Sequence, residues 1–127
     1  MVVMRYLLDT NTCIAAMRHH ALVLQHLAAV SPADCAISSI TTYELYTGFE
    51  KCADPTKELA KVKLLLATVS ELVFDGQAAR EAGRIRARLE SQGCMIGAYD
   101  VLLAGQARSG GLTLVTANMG EFSRVPG

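Results

Sequence analysis

The chain has no excess charge of either sign, because 12 Lys and Arg residues balance 12 Asp and Glu residues. A protein that binds nucleic acid over its whole surface is more basic, so any such role here must come from local segregation of charge. No apolar run approaches the roughly 20 residues that a membrane-spanning helix needs. The 127 residues contain no repeat, low-complexity segment or linker, which predicts one domain over 1–127.

Cysteine and histidine patterns exclude two further kinds of site. None of the four cysteines forms a C-x-x-C pair; they are Cys13, Cys35, Cys52 and Cys94. Together with the lack of a signal sequence, this predicts reduced thiols in a cytoplasmic protein. The histidines lie in one early segment, at positions His19, His20 and His26. Because none is near an acid that follows a predicted strand, a zinc site is not expected.

Apolar segments that predict strands alternate with segments that predict one or two helices. The predicted strands are Val2–Leu8, Cys35–Ser39, Val69–Phe74 and Leu112–Thr116. The predicted helices are Thr12–Met17, Ala21–Val30, Thr41–Lys51, Thr56–Ala67, a helix capped by Asp75, and Ala98–Arg108. No hairpin turn links two strands, and 51% of the residues are hydrophobic. This pattern predicts an α/β fold, a three-layer α/β/α sandwich with a central parallel sheet.

Four acidic residues fall close to the carboxyl ends of predicted strands. Asp9 follows the first strand, and Glu44 lies in the first turn of the helix after the second. Asp100 lies in the first turn of the late apolar helix, and Glu121 comes a few residues after the last strand. Ligands of open parallel sheets bind at this edge. The placement therefore predicts one acidic site.

Four carboxylates brought together would repel one another and lose hydration unless a cation neutralised them. A ligand set made only of oxygen atoms suits Mg²⁺ or Mn²⁺. Such an ion can lower the pKa of a bound water and stabilise charge on a phosphodiester. The acidic edge therefore favours metal-dependent phosphodiester hydrolysis without a side-chain nucleophile.

Each acid also has a structural alternative. Asp9 could cap the following helix, for which Thr10 and Asn11 are further candidates. Thr41 and Glu44 fit a capping box. Asp100 would be stabilised by a helix dipole, and Glu121 could be a solvated loop acid. Only the convergence of all four favours a site.

Polar and basic residues elsewhere are less specific. Five polar residues also lie near strand ends and could orient carboxylates, although ordinary caps and turns explain them equally well: Thr10, Asn11, Ser39, Thr116 and Asn118. A stripe at helical spacing could steer phosphates and bind RNA, or could simply be a solvated helix face; it consists of Arg80, Arg84, Arg86 and Arg88.

Four stretches resemble the PIN-domain family: YLLDTN, SSITTYELYTG, GAYDVLLAGQARSGGLTLVTAN and EFSRVPG. They cover almost the whole chain in the family's order and are most similar to the VapC toxins of bacterial VapBC type II toxin–antitoxin pairs. The resemblance implies a Mg²⁺- or Mn²⁺-dependent endoribonuclease that cuts structured RNA, with the anticodon loop of initiator tRNA as the expected target. It also implies a homodimer, and a VapB antitoxin that inserts its C-terminal segment into the acidic site.

The same resemblance implies roles for individual residues. The expected metal ligands and catalytic residues are Asp9, Glu44, Asp100 and Glu121. The expected polar residues beside the metal are Asn11, Thr116 and Asn118.

The sequence departs from the VapC pattern in two places. Residues 93–97 are Gly-Cys-Met-Ile-Gly where relatives commonly have Gly-Arg-Pro-Ile-Gly, and Met119-Gly120 replaces a Thr-Arg pair. Two basic residues near the site are therefore missing, which affects RNA affinity and target choice rather than metal chemistry. Relatives also usually continue for several residues beyond the position of Gly127.

Two other functions stay open from the residues alone. A dehalogenase-like phosphatase or a receiver domain also has an Asp at a strand end. The phosphatase needs a second Asp where this chain has Asn11, and both need a late lysine, whereas the last one here is Lys63. A non-catalytic or silenced PIN-like binding module, whose acids serve only as caps, would show no metal dependence.

Overall fold

The computed structural model describes residues 5–18 and 31–116 of the chain. Within these ranges four short strands form one parallel sheet: β1 (Tyr6–Leu8), β2 (Cys35–Ser38), β3 (Ser70–Leu72) and β4 (Thr113–Val115). Their order in space is β3-β2-β1-β4, so β1 lies between β2 and β4. The prediction of a central parallel sheet is confirmed.

The helices of the described ranges were all predicted, with boundaries within two residues. They are α1 (Thr10–Met17), α2 (Ser39–Lys51), α3 (Pro55–Thr68), α4 (Gly76–Ser91) and α5 (Ala98–Gly110). A short 3₁₀ turn, Pro32–Asp34, precedes β2. The predicted helix Ala21–Val30 and the first residues of the predicted strand Val2–Leu8 lie outside the described residues.

Strand β3 is shorter than the predicted Val69–Phe74. Its last residue, Leu72, lies opposite Ser38, where β2 gives way to α2. Val73 and Phe74 therefore have no residue of β2 to pair with. Strand length here depends on the neighbouring strand, which the local sequence does not specify.

Two predicted helix starts are wrong, and both helices begin directly at the end of a strand. The N-cap of α1 is Asp9, which confirms its capping role, whereas the other two candidates, Thr10 and Asn11, lie inside the helix. The N-cap of α2 is Ser38, whose Oγ accepts a hydrogen bond from the backbone N of Ile40 at 3.0 Å. Glu44 consequently lies in the second turn of α2, and the predicted capping box does not form. The predicted cap Asp75 is confirmed.

Both faces of the sheet are covered by helices. Successive strand residues point to opposite faces, and Leu8 packs with a cluster supplied by α1, α2 and α3 that includes Cys13, Leu45 and Val62. Leu7 packs on the other face with Ala107 of α5. On that side α5 packs on α4 through contacts that include Val101 and Ile85. The predicted three-layer α/β/α arrangement is confirmed.

Helices α4 and α5 approach each other very closely at one point. A Cβ atom added to Gly105 would stand 2.5 Å from the backbone N and Cα of Ala82. Only glycine allows this approach, which fixes the position of α5 and of Asp100 in its first turn. In the parts of the chain that the structure describes, no helix combines the length and apolar composition needed to cross a membrane.

Candidate active site

Asp9 directly follows β1, the strand at which the order of strands across the sheet reverses. The chain continues from β1 to β2 on one side, whereas β4 pairs with β1 on the other. The backbone N of Asp9 donates to Val115 O at 3.1 Å, so the residue sits between the carboxyl ends of β1 and β4. Such switch points create crevices in which ligands of open α/β sheets bind.

The carboxylate of Asp9 is buried and held at both oxygens. Asp9 is only 2% exposed. Oδ1 accepts from the backbone N of Thr12 at 2.8 Å, and Oδ2 accepts from the hydroxyl of Thr116. Asp9 is therefore both a helix cap and an oriented carboxylate, and each oxygen keeps a lone pair for a further partner.

Glu44 reaches the same region from α2. It is half-buried, and its Oε1 accepts from the hydroxyl of Thr10 at 2.7 Å. The Thr10 hydroxyl also lies 3.2 Å from that of Thr41, one turn earlier on α2. Thr10, the residue after Asp9, thus links the end of β1 to Glu44.

A cleft of about 210 Å³ joins these groups to α5. Its lining includes three of the four predicted carboxylates, two of the five predicted polar residues and three residues at the start of α5. These are Asp9, Glu44 and Asp100, then Thr10 and Asn11, and then Gly97, Ala98 and Tyr99. Thr116 contacts the cleft through its hydrogen bond to Asp9. Asn118 and Glu121 lie outside the described residues.

The donor atoms of the cleft fit a hard divalent cation, because carboxylate, hydroxyl and amide oxygens suit Mg²⁺ and Mn²⁺. Among residues 5–18 and 31–116, no three acidic, cysteine or histidine side chains form a ready-made ligand cluster. Mg²⁺ commonly uses one or two carboxylates and keeps several waters. The arrangement therefore fits an ion held directly by one or two acids and through water by the others.

The thiol of Cys13 lies next to this site but is unsuited to its chemistry. Cys13 is fully buried. Burial, followed by the negative charge of Asp9 and the neighbouring Cys35, raises its pKa to about 12. A protonated, inaccessible thiol is neither a metal ligand nor a nucleophile. All four cysteines are free, in agreement with the prediction of reduced thiols.

Comparison with known proteins identifies the family. The PIN-domain family model matches residues 6–127. The chain belongs to the PIN-domain family. The tRNA(fMet)-specific endonuclease VapC of Salmonella typhimurium is 40% identical over 124 residues, which cover 98% of this chain and 94% of that protein. The predicted resemblance to VapC proteins is confirmed.

Solved structures show the same likeness to this PIN domain. A DNA-bound VapBC structure from Salmonella typhimurium matches with a TM-score of 0.92 and 39% identity, covering 98% of this chain and 95% of that one. VapBC2 from Rickettsia felis, bound to a promoter DNA fragment, matches with a TM-score of 0.89 and 32% identity over 97% and 94%.

The PIN domain also carries a pair of tyrosines that sequence reasoning missed. The hydroxyl of Tyr99 donates to that of Tyr43 at 3.2 Å, and this bond, with the nearby Tyr43 and Glu44, raises the pKa of Tyr99. Each tyrosine directly precedes a site acid, Glu44 or Asp100. That repeated Tyr-acid order was the available signal.

The arginine stripe of the PIN domain lies on the exposed side of α4. Arg84 Nη1 pairs with Glu81 Oε1, and Arg86 Nε pairs with Glu90 Oε1, each at 2.8 Å. Exposed pairs within one helix contribute little and open readily. RNA binding by this stripe stays a prediction.

Ser39, another residue that could orient a carboxylate, instead accepts from the backbone N of Phe74 at 3.0 Å.

Proposed function

We propose that this PIN domain, over residues 1–127, is the toxin of a bacterial type II toxin–antitoxin pair and an endoribonuclease. The observation that carries the proposal is the cleft at the switch point, where the buried Asp9 meets Glu44 and Asp100. The family membership supports a nuclease, and the name of the Salmonella relative supports tRNA as the substrate. The anticodon loop of initiator tRNA is the proposed target.

The proposed metal ligands are Asp9, Glu44, Asp100 and Glu121, with Asn11, Thr116 and Asn118 as polar neighbours. A bound Mg²⁺ or Mn²⁺ would activate water and offset negative charge on the scissile phosphate. Thr12 and Thr116 hydrogen-bond to the two Asp9 oxygens and hold the carboxylate in one orientation. The Thr10 hydroxyl donates to one oxygen of Glu44 and helps to orient that carboxylate.

The proposed partners follow from the structural relatives. The matched Salmonella and Rickettsia structures are VapBC complexes, which supports a VapB-type antitoxin. A homodimer of the toxin within a larger assembly is proposed with it. The free thiols support a cytoplasmic location. Arg84, Arg86 and Arg88 are proposed to contact RNA phosphates, with Arg84 and Arg86 first leaving Glu81 and Glu90 on the same helix.

The test is cleavage of a mixed tRNA pool by the purified chain with Mg²⁺ or Mn²⁺ and with EDTA. We expect discrete fragments that disappear with EDTA. Asp9→Asn should lower activity more than about 100-fold, because partners of metal ligands alone contribute 10- to 100-fold. The matched control is Asp34→Asn in the 3₁₀ turn at the opposite end of the sheet, which should cut normally.

Metal binding is measured separately from cleavage. Mn²⁺ should raise the unfolding temperature of the wild-type chain and of Asp34→Asn, and much less that of Asp9→Asn. Metal binding without RNA cleavage would contradict the proposed substrate. Absence of both would contradict the nuclease and leave the acids as caps.

A further inference from the structure

Two exposed tyrosines form a bridge between α2 and α5 beside the acidic cleft. Tyr43 is 54% exposed and Tyr99 is 42% exposed. Their ring centroids lie 5.8 Å apart with the ring planes tilted by 59°, and their hydroxyls are hydrogen-bonded. The rings are tilted rather than stacked face to face, and Tyr99 is exposed enough for another flat group to reach its ring.

The two tyrosines have different positions relative to the acids. Tyr99 lines the cleft together with Asp9, Glu44 and Asp100. Tyr43 lies on α2, and its hydroxyl accepts a hydrogen bond from the Tyr99 hydroxyl. Tyr99 is therefore placed to touch a ligand, and Tyr43 is placed to fix the Tyr99 ring.

The charge of the cleft favours a neutral contact to RNA. Among the described residues that line it, three are acidic and none is Lys or Arg. Carboxylates repel the phosphates of an RNA strand, and a metal ion offsets only part of that repulsion. A neutral contact to a nucleobase would hold the RNA strand in this cleft without a basic side chain. Stacking on an aromatic ring is such a contact and accepts any base.

We propose that Tyr99, braced by Tyr43, stacks on an unpaired nucleobase next to the scissile phosphate. This inference rests on the proposed ribonuclease function and names the residue by which the site would recognise an unpaired segment of its RNA. In a continuous duplex the faces of each base are covered by its neighbours, so Tyr99 selects RNA whose bases are unstacked at the cut, as in a loop or single strand.

The test uses a short RNA hairpin that contains the cut site mapped in the tRNA pool. Tyr99→Ala should raise KM about tenfold, the usual effect of losing one stacked base, with kcat changed less than about twofold. Tyr99→Phe keeps the ring but removes the bond to the Tyr43 hydroxyl, so its KM should rise only about two- to threefold. Tyr43→Phe removes the bond between hydroxyls and should raise KM about two- to threefold, because Tyr99 is then less well held.

The control variant is Tyr46→Ala, which removes another exposed tyrosine of α2 that is not among the residues lining the cleft. It should leave KM unchanged. All four variants alter exposed side chains, so their unfolding temperatures should match that of the wild type.

A second arm asks whether ring and base act on each other. Removing the base next to the cut, by an abasic nucleotide, should raise the wild-type KM about tenfold and should add nothing in Tyr99→Ala. Fluorescence anisotropy with the same hairpin in EDTA gives the Kd without cleavage and should show the same pattern.

The outcomes separate this inference from the proposed function. If the wild type cuts RNA in a metal-dependent way and Tyr99→Ala leaves KM and Kd unchanged, stacking is wrong and the pair is a protein-binding surface. Fully additive effects of the abasic nucleotide and Tyr99→Ala overturn it as well. If the wild type neither cuts nor binds RNA, the proposed function fails and this inference fails with it.

Discussion

The two walls of the cleft hold their carboxylates in different ways. On the sheet wall, Asp9 is 2% exposed and both of its oxygens accept hydrogen bonds. On the helical wall, Glu44 and Asp100 are only half-buried. Glu44 accepts its bond from Thr10, a residue of the opposite wall.

Asp9 is thus held in a fixed orientation, whereas Glu44 and Asp100 are more accessible to water. A buried carboxylate with two donors keeps its orientation without any ion, which is preorganisation. Half-exposed carboxylates retain contact with water and can move to meet a metal ion or substrate. In the proposed function, the sheet wall would therefore provide a fixed metal ligand, and the helical wall would adjust to the substrate. Three further substitutions test this contrast.

The largest effect is expected from Thr116→Val, which removes the hydroxyl bound to Asp9 Oδ2. Val has nearly the same shape, so the loss is the orientation of a buried carboxylate. We expect metal affinity or activity to fall 10- to 100-fold, measured by Mn²⁺ titration and by cleavage rate. The control is Thr113→Val, on the exposed start of β4, with no expected change. Equal activity of both variants would contradict a fixed sheet wall.

The next effect concerns the packing that positions the helical wall. Gly105→Ala forces a Cβ into the backbone of Ala82, so we expect the free energy of unfolding to fall by about 1–3 kcal/mol in urea denaturation. Gly83→Ala on α4 meets nothing within 4 Å and should raise it by about 0.5–1 kcal/mol. If Gly105→Ala also stabilised the chain, α4 and α5 would not be in close contact.

The smallest effect is expected from Thr10→Val, which removes the hydrogen bond to Glu44. Water can replace that bond at a half-exposed carboxylate, so we expect about a fivefold loss of activity, equivalent to about 1 kcal/mol. Thr42→Val removes a similar bond, to Glu71, outside the cleft and should leave the cleavage rate unchanged. A larger loss for Thr10→Val than for Thr116→Val would reverse the comparison between the walls.

Local sequence patterns predicted the elements well but their ends less well. The helix capped by Asp75 was predicted from its periodicity, and its apolar residues at helical spacing are all buried: Ala78, Ala82, Ile85 and Leu89. The start of α2 was misplaced because Thr41 and Glu44 resemble a capping box, whereas Ser38 caps the helix. Where α2 starts depends on where β2 stops pairing with its neighbouring strands. Those strands are distant in sequence, so a short sequence window does not contain this information.

Site residues were predictable where chain position alone brought them to the carboxyl edge. Asp9 and Thr116 were placed there because each follows a strand, and parallel strands end at the same edge. The Tyr43–Tyr99 pair was not predicted, since it depends on the packing of α2 beside α5 across 56 positions of sequence. The Tyr-acid order repeated at Tyr43-Glu44 and Tyr99-Asp100 places both tyrosines near the site, but it does not specify their contact.

The sequence by itself determined the α/β class, the alternation of strands and helices, and the acids at strand ends. These follow from hydrophobic periodicity and chain direction, which are local properties. Only the tertiary structure decided that Asp9 is buried and doubly bonded, that Glu44 depends on Thr10, and that Tyr99 enters the cleft. Burial and hydrogen-bond geometry arise from which elements pack together, and residues far apart in the chain supply both partners.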